Sequence, residues 1–337
     1  MTLEKTYDFE NVRFSADMDS SAKTVHFHIE NPEKKEIPET LVKYFNINEF
    51  SVDGLINHYL FAPHPKDLND KYDCCGELIN YENVNIEFFI NRLAKELSLY
   101  SEDKVRELYN SDNKWILGRT IADLNQIILF FKFGLISMTE DPLHPLMWSH
   151  YAKNSGFVIQ FKTSLLPNDF FGPFPITYST KLESIDFSRY NPALCFLYQS
   201  NIKNTAWAYE NEWRFLTYNR DGKYHPLYSS YDIKSRKYSY SQSSIERVIL
   251  GYDFFDPKEI DYKNRTKEYD IIRLSNKKSR RINKLKRRFL HYLVKNNILC
   301  SQVVRNRYLF ELKIVDIKIE QLSSNKFKIY NSFKTVY

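Results

Sequence analysis

Two hydrophobic periodicities alternate along this chain. Between residues 82 and 131 apolar side chains recur every three or four positions, as at Ile86, Phe89, Ile90 and Leu93, which predicts a mostly helical segment. Short apolar runs bounded by turn-forming residues predict strands. These strands are expected at residues 59–62, 133–137, 157–161, 176–178, 213–218, 245–250 and 309–319. The pattern therefore predicts an α+β fold with a mixed or antiparallel sheet core, a helical insertion at about residues 82–131 and a basic C-terminal helix.

The same pattern predicts one domain with additions at both ends. Apart from the insertion, helices are expected to start near Ser51 and to cover residues 192–205. Residues 1–38 are polar with some alternation, which is typical of an N-terminal arm or an edge hairpin. The predicted organisation is an arm at 1–38, an α+β core at 39–270, a basic amphipathic helix at 271–300, and strands at 301–337 that complete the core.

Composition argues against several classes of protein and several kinds of binding site. With 337 residues, of which 43% are hydrophobic and 16% aromatic, the chain can bury a sizeable core, which excludes a disordered protein. Only eight glycines and no G-x-G-x-x-G or G-x-x-x-x-G-K-[ST] motif argue against standard Rossmann and P-loop sites. Four cysteines without C-x-x-C spacing indicate neither a zinc ribbon nor a disulfide framework. The lack of a signal-peptide pattern and of an apolar run long enough to span a bilayer predicts a cytoplasmic protein.

The net charge of +6 comes from one element. Residues 271–310 contain twelve Lys or Arg and no acidic residue, whereas the rest of the chain carries 36 basic and 42 acidic residues. Within this stretch Ile282, Leu285, Phe289 and Leu293 follow helical spacing, so an apolar stripe can pack while basic side chains face solvent. Such a face is expected to bind nucleic acid, with a solvated helix or an anionic-lipid contact as alternatives. The expected nucleic-acid-binding residues are Lys277, Lys278, Arg280, Arg281, Lys284, Arg287 and Arg288.

The segment 207–214 concentrates two carboxylates, an arginine and three large aromatic side chains. In an extended chain successive side chains alternate between faces, so Glu210, Glu212 and Arg214 are expected to share one face while Trp213 and Phe215 point into the core. Charged groups wedged between aromatic residues are costly to desolvate unless they are paired or used in chemistry. We therefore expect any catalytic chemistry to lie in this segment.

Four segments in order resemble the bacterial domain-of-unknown-function family 2971. They are residues 43–45 with 61–63 and 68–73; residues 134–138 with 145–152 and 156–157; residues 207–214; and residues 245–251. The resemblance covers roughly residues 40–255. It indicates a family but implies no function, because none is assigned to that family.

The Glu-x-Glu at residues 210 and 212 also resembles the pair used by one class of ADP-ribosyltransferases, and the order of elements is similar to compact members of that superfamily. This resemblance implies that Glu212 holds the ribose of NAD and stabilises the positive charge that develops on glycosidic cleavage. Glu210 would then orient or deprotonate the acceptor, and His150 would assist as a base or hydrogen-bonding group. The implied NAD-binding residues are Tyr44, Asn69, Asp70, Tyr151 and Arg214.

Structural explanations compete for the same residues. Glu212 and Arg214 can form a buried ion pair, His150 can be a core histidine, and the loop residues Asn69, Asp70 and Asp73 can close a turn. Three functions follow. The first is a bacterial effector of toxin or anti-phage defence type, which uses NAD and modifies a nucleic acid or a nucleic-acid-bound partner protein. The others are a non-catalytic nucleic-acid-binding module and a Mg²⁺-dependent nuclease built on Asp70, His150 and the two glutamates.

Overall fold

The computed structural model describes residues 3–19, 24–34, 36–168, 170–218, 236–274, 281–306 and 308–330. Its helices, numbered in chain order, are α1 (Glu49–Ile56), α2 (Ile86–Phe89), α3 (Glu102–Tyr109), α4 (Lys114–Lys132), α5 (Pro145–Ala152), α6 (Pro192–Gln199) and α7 (Arg281–Lys295). A π-helical segment, Ile90–Glu96, continues α2, and a 3₁₀ helix covers Thr205–Glu210.

The strands are numbered in the same way. They are β1 (Thr6–Phe9), β2 (Val12–Asp19), β3 (Thr24–Glu30), β4 (Thr40–Phe45), β5 (Tyr59–Phe61), β6 (Ile79–Asn80), β7 (Phe133–Thr139), β8 (Phe157–Lys162), β9 (Phe170–Pro175), β10 (Thr177–Ser179), β11 (Ile185–Asp186), β12 (Ile202–Asn204), β13 (Glu212–Tyr218), β14 (Lys237–Ser239), β15 (Ile245–Leu250), β16 (Tyr269–Arg273), β17 (Cys300–Arg305), β18 (Leu312–Ser323) and β19 (Lys326–Tyr330).

Ten strands form the central sheet in the order β16-β19-β18-β17-β15-β8-β4-β7-β13-β9. Neighbouring strands are antiparallel except β15 and β17, which run parallel. A parallel pair requires a crossover, and the chain between β15 and β17 supplies one that includes α7. The predicted α+β class with a mixed sheet is therefore confirmed.

The sheet separates two apolar clusters, because alternate side chains of a strand point to opposite faces. On β13, Leu216 belongs to the cluster that contains the helical insertion and α6. Trp213 and Phe215 belong to the other cluster, which includes side chains of α1 and α7. The expected orientation of Trp213 and Phe215 into a core is confirmed by their exposure of only 2% each.

The described part of residues 1–38 contains three strands. Strands β1, β2 and β3 make a separate three-stranded antiparallel sheet. Phe9 and Phe14 are fully buried, and both rings lie edge-on against the ring of Tyr198 in α6. The alternation that looked weak in the sequence therefore marks one apolar face that packs onto the body.

Several predicted boundaries shift. The helix expected at 192–205 ends at Gln199, because the chain then pairs as β12 with β10. The strand expected from 309 begins at Leu312. The boundary between core and basic helix, expected at 270 and 271, falls inside β16, and α7 begins at Arg281. The predicted nucleic-acid-binding residues Lys277, Lys278 and Arg280 lie outside the described residues.

Gly156 lies in one of the segments that resemble family 2971, and a close approach between two chain segments requires a glycine there. A Cβ atom at Gly156 would lie 2.0 Å from the carbonyl oxygen of Phe45 in β4. Only glycine allows the turn after α5 to come so close to the neighbouring strand. Within the described ranges, no helix has both the length and the apolar character needed to cross a bilayer.

Candidate active site

The two glutamates of the 207–214 segment do not lie on one strand. Glu210 ends the 3₁₀ helix, Asn211 adopts a left-handed conformation with φ of 45°, and β13 begins at Glu212. Asparagine tolerates this conformation better than most residues, so it can reverse the chain between the glutamates. The expectation of an extended Glu-x-Glu is therefore wrong in its local geometry, yet both carboxylates still meet.

Lys203 of β12 brings the carboxylates together. Its Nζ lies 2.5 Å from Oε2 of Glu210 and 2.9 Å from Oε2 of Glu212. The side chains of all three residues are at most 5% exposed. Because hydrogen bonds between ionised groups are strong in a buried setting, Lys203 fixes the distance between the two carboxylates.

Arg214 supports Glu212 from behind. Its Nε donates to Oε1 of Glu212 at 2.9 Å, and its two Nη atoms donate to the carboxylate of Asp73 at 2.8 and 2.9 Å. Nη1 also donates to the carbonyl oxygen of Ser200 at 2.7 Å. This arginine is 1% exposed and each of its guanidinium nitrogens has an acceptor, so it orients the carboxylates and does not face open space.

Tyr151 of α5 completes the group. Its hydroxyl donates to Oε1 of Glu210 and accepts a hydrogen bond from Nδ2 of Asn69 at 3.3 Å. Three segments far apart in sequence, at residues 69–73, 151 and 203–214, thus converge through direct polar contacts.

The charges stabilise one another. Burial by itself raises the pKa of Glu212, but Arg214 and Lys203 outweigh burial and hold that pKa well below its usual range. Burial lowers the pKa of Lys203, and the neighbouring carboxylates, Glu212 first, reverse the shift and raise it. Burial and the carboxylate of Glu210 raise the pKa of Tyr151, which keeps its proton. Glu212 is therefore ionised, and Tyr151 acts as a hydrogen-bond donor.

A cavity of about 190 Å³ opens beside the carboxylates. Its lining includes Val42, Lys43, Tyr44, Pro63, Leu68, Asn69, Asp73, Ser137, Met138, Thr139, Met147, Tyr151, Lys203, Glu210 and Glu212. Lys43 of β4 donates to the carbonyl oxygen of Ser137 at 2.8 Å, and burial lowers the pKa of Lys43 to about 8. The cavity therefore combines anionic, cationic and apolar walls, which is typical of a site for a polar small molecule.

Five predicted site residues line this cavity together: Tyr44, Asn69, Tyr151, Glu210 and Glu212. The ring of Tyr44 packs edge-on against Trp148 at 5.2 Å, and its hydroxyl donates to the carbonyl oxygen of Asp141 at 2.8 Å. Tyr44 therefore presents a fixed wall.

Three other predicted residues lie elsewhere. His150 is exposed on the surface of α5 and does not line the cavity. Asp70 closes a turn, with Oδ1 accepting from the backbone nitrogen of Tyr72 at 2.9 Å. Arg214 sits behind Asp73 and Glu212 and has no share in the cavity wall. The structure does not group His150 or Asp70 with the glutamates as the nuclease hypothesis requires.

Sequence reasoning missed two charged residues of the site, namely Lys43 and Lys203, and it did not predict that Asp73 pairs with Arg214. The sequence contained one signal for a missing cation. The segment 207–214 has two glutamates, Glu210 and Glu212, but only one arginine, Arg214, so a second buried cation is needed to balance them. Lys203 is that cation. Among the described residues, no group of three or more His, Cys, Asp or Glu side chains is arranged to hold a metal ion. The ammonium group of Lys203 and the guanidinium group of Arg214 supply the positive charge beside these carboxylates.

The basic helix α7 has two distinct faces. Leu285, Phe289 and Leu293 are buried, as predicted, but Ile282, expected in the same apolar stripe, is 39% exposed. Lys286, which also faces inward, forms a buried ion pair with Glu259 at 2.8 Å. The exposed face carries Arg281, Lys284, Arg288, His291 and Lys295, whereas Arg287 is partly buried. Arg281 is paired with Glu49 of α1.

Comparison with known proteins adds one finding. Residues 147–215 match a family model described as Protein of unknown function (DUF2971). The match runs from α5 to β13 and so includes Tyr151, Lys203, Glu210, Glu212 and Arg214. The resemblance to family 2971 that rests on the 207–214 segment is therefore supported. Neither the curated proteins nor the solved structures contain a match to the chain.

Proposed function

We propose that this chain is a glycosyl-transferring enzyme that uses NAD as donor, in the manner of an ADP-ribosyltransferase. The observation that carries the proposal is the carboxylate of Glu212, which is 2% exposed, ionised, and placed at the wall of the cavity. Cleavage of the bond between nicotinamide and ribose leaves positive charge on the ribose, and a fixed carboxylate in a water-poor site stabilises that charge.

Glu212 retains the capacity for this role. Lys203 and Arg214 each donate to one of its oxygens and the side chain of Ser137 also hydrogen-bonds to the carboxylate, so one of its roughly four acceptor positions stays open. A ribose hydroxyl can therefore donate to Glu212 without displacing either cation. Since the carboxylate is already oriented, little reorganisation is needed when charge develops.

The other cavity residues have complementary roles. Lys43 supplies a positive charge for a phosphate group, Tyr44 gives a rigid wall, and Asn69 presents an amide near the hydroxyl of Tyr151. Glu210, held by Tyr151 and Lys203, is placed to orient the acceptor. The acceptor forms the new bond to the ribose carbon as nicotinamide departs with the bonding electrons.

The exposed basic face of α7 supports nucleic acid as the acceptor or as the tether of the acceptor. Lys284 and Arg288 lie four residues apart and are on the same side of the helix, with Arg281 and Lys295 near its ends. Cations clustered along one face of a helix are the charge distribution expected of a surface that binds nucleic-acid phosphates. We further propose that the chain is an effector of toxin or anti-phage defence type.

The test is release of nicotinamide from NAD, measured with and without cell lysate or nucleic acid. Glu212→Gln is expected to lower the rate at least about a hundredfold, because it removes the charge that faces the ribose. Glu77→Gln, which alters an exposed glutamate paired with Arg119, is the matched control and should leave the rate unchanged. Thermal unfolding shows whether each variant is folded. Release that survives in folded Glu212→Gln, or wild-type protein that neither binds nor cleaves NAD, contradicts the proposal.

A further inference from the structure

An aromatic surface beside the cavity has no role in the chemistry described above. We call it the aromatic shelf and define it by Trp207, Tyr209, His144 and His150. The rings of His144 and Tyr209 are nearly parallel, with centroids 5.3 Å apart and an angle of 23°. Trp207 lies 6.1 Å and His150 lies 6.4 Å from Tyr209. Each of the four residues is at least partly exposed.

The shelf adjoins the cavity in space and in sequence. Nζ of Lys203, a cavity residue, lies 5.2 Å from the ring centroid of Trp207. Glu210 and Tyr151 line the cavity, and in the sequence they directly follow the shelf residues Tyr209 and His150. A ligand that leaves the cavity on this side therefore meets aromatic rings.

The size of the cavity makes such an extension necessary for a dinucleotide. Sites for drug-sized ligands usually enclose about 300–1,000 Å³, and NAD is larger than most of those ligands. The cavity encloses about 190 Å³, which is below that range and too little for the whole donor. The remaining half of the molecule must lie outside, and that half ends in a planar purine.

We propose that the aromatic shelf is a purine subsite that binds the adenine of the donor by stacking on Trp207 and Tyr209. This inference rests on the proposed function for the identity of the ligand. Stacking on an aromatic side chain is favourable because the ring offers a large flat surface and the side chain has few rotatable bonds to order. The subsite gives the enzyme a preference for a dinucleotide over a mononucleotide that lacks adenine.

The direct test measures binding of AMP by calorimetry, which requires no turnover. Trp207→Leu is expected to raise the Kd for AMP about tenfold, as is typical for loss of one stacking partner. Trp115→Leu is the matched control, since Trp115 is also exposed but lies on α4, and it should leave the Kd unchanged. Should Trp207→Leu fail to fold, Tyr209→Leu against Tyr209→Phe gives the same test, because phenylalanine keeps the ring.

A second measurement separates this inference from the proposed function. In Trp207→Leu the KM for NAD should rise while the KM for nicotinamide mononucleotide, which has no adenine, stays constant. AMP binding that depends on Trp207, without nicotinamide release from either donor, rejects the proposed function and leaves the subsite standing. AMP affinity that is equal in wild type and Trp207→Leu overturns the subsite. A short oligodeoxyadenylate that binds through Trp207 when AMP does not also overturns it, because the purine would then come from nucleic acid.

Discussion

One ammonium group, that of Lys203, lies within hydrogen-bonding distance of both candidate catalytic glutamates. Lys203 contacts both Glu210 and Glu212, and its Nζ also lies 3.9 Å from the carboxylate of Asp73. Without this cation, Arg214 would still contact Asp73 and Glu212, but Glu210 would lose the ammonium group that pairs with it. The arrangement is therefore sensitive to the loss of any one charge, since an unpaired buried charge costs far more than an exposed one.

Replacing Lys203 by methionine is expected to lower the free energy of unfolding by about 3–5 kcal/mol, because two buried carboxylates lose a partner. Urea unfolding measures the change. Lys5→Met is the control: Lys5 pairs with Asp17 at 2.6 Å, but both side chains are more than half exposed. That exposed pair should contribute less than about 1 kcal/mol. Similar small losses in both variants would show that the buried ion pairs contribute little.

Because the pKa of Glu212 is low, the free energy of unfolding is expected to depend on pH in the acid range. A carboxyl group whose pKa is lower in the folded than in the unfolded chain stabilises the fold above its unfolded pKa, about 4.3 for glutamate. This contribution is lost as the pH falls towards the folded pKa, which Arg214 and Lys203 hold well below the usual range. The difference in free energy of unfolding between wild type and Glu212→Gln should therefore shrink between about pH 5 and more acidic values. A constant difference over that range would argue against an ionised Glu212.

At the scale of elements, the site depends on a short 3₁₀ helix and on α7. The 3₁₀ helix is started by the side chain of Asn204, which accepts from the backbone nitrogen of Ala206, and is ended by the left-handed Asn211. It therefore turns Glu210 towards Lys203 and Tyr151. On α7, helical spacing sorts most apolar side chains to the sheet and most basic ones to solvent, with the exposed Ile282 and the buried Lys286 as exceptions.

The exposed face of α7 gives a prediction about salt dependence. The double variant Lys284→Ala, Arg288→Ala should reduce the slope of log affinity for nucleic acid against log salt by about two, one for each phosphate that the variant no longer neutralises. Fluorescence anisotropy with a labelled oligonucleotide at several salt concentrations measures the slope. Lys104→Ala, Arg106→Ala on α3 is the control, since both residues are exposed on another helix. An equal slope in wild type and the α7 variant would exclude this face as the binding surface.

At the scale of the whole molecule, the cavity exists because neighbours in the sheet are distant in sequence. Strand β7 lies between β4 and β13, so Lys43, Ser137 and Glu212 reach the same cavity. Asp73 arrives from a loop 141 residues before its partner Arg214. The helical insertion packs on one face of the sheet and α7 on the other, which fixes the strands that carry these residues.

Hydrophobic spacing in the sequence predicted the α+β class, the helical insertion, seven of the nineteen described strands and most of the buried stripe of α7, because periodicity depends on local geometry. The concentration of charge at residues 207–214 also pointed to the site, and five of the predicted residues line one cavity. Only the tertiary structure decided which charges pair. Lys203, Asp73 and Lys43 enter the site, while His150 and Asp70 lie away from it. Strand order and the turn at Asn211 set those contacts, and both result from packing between distant segments rather than from local preference.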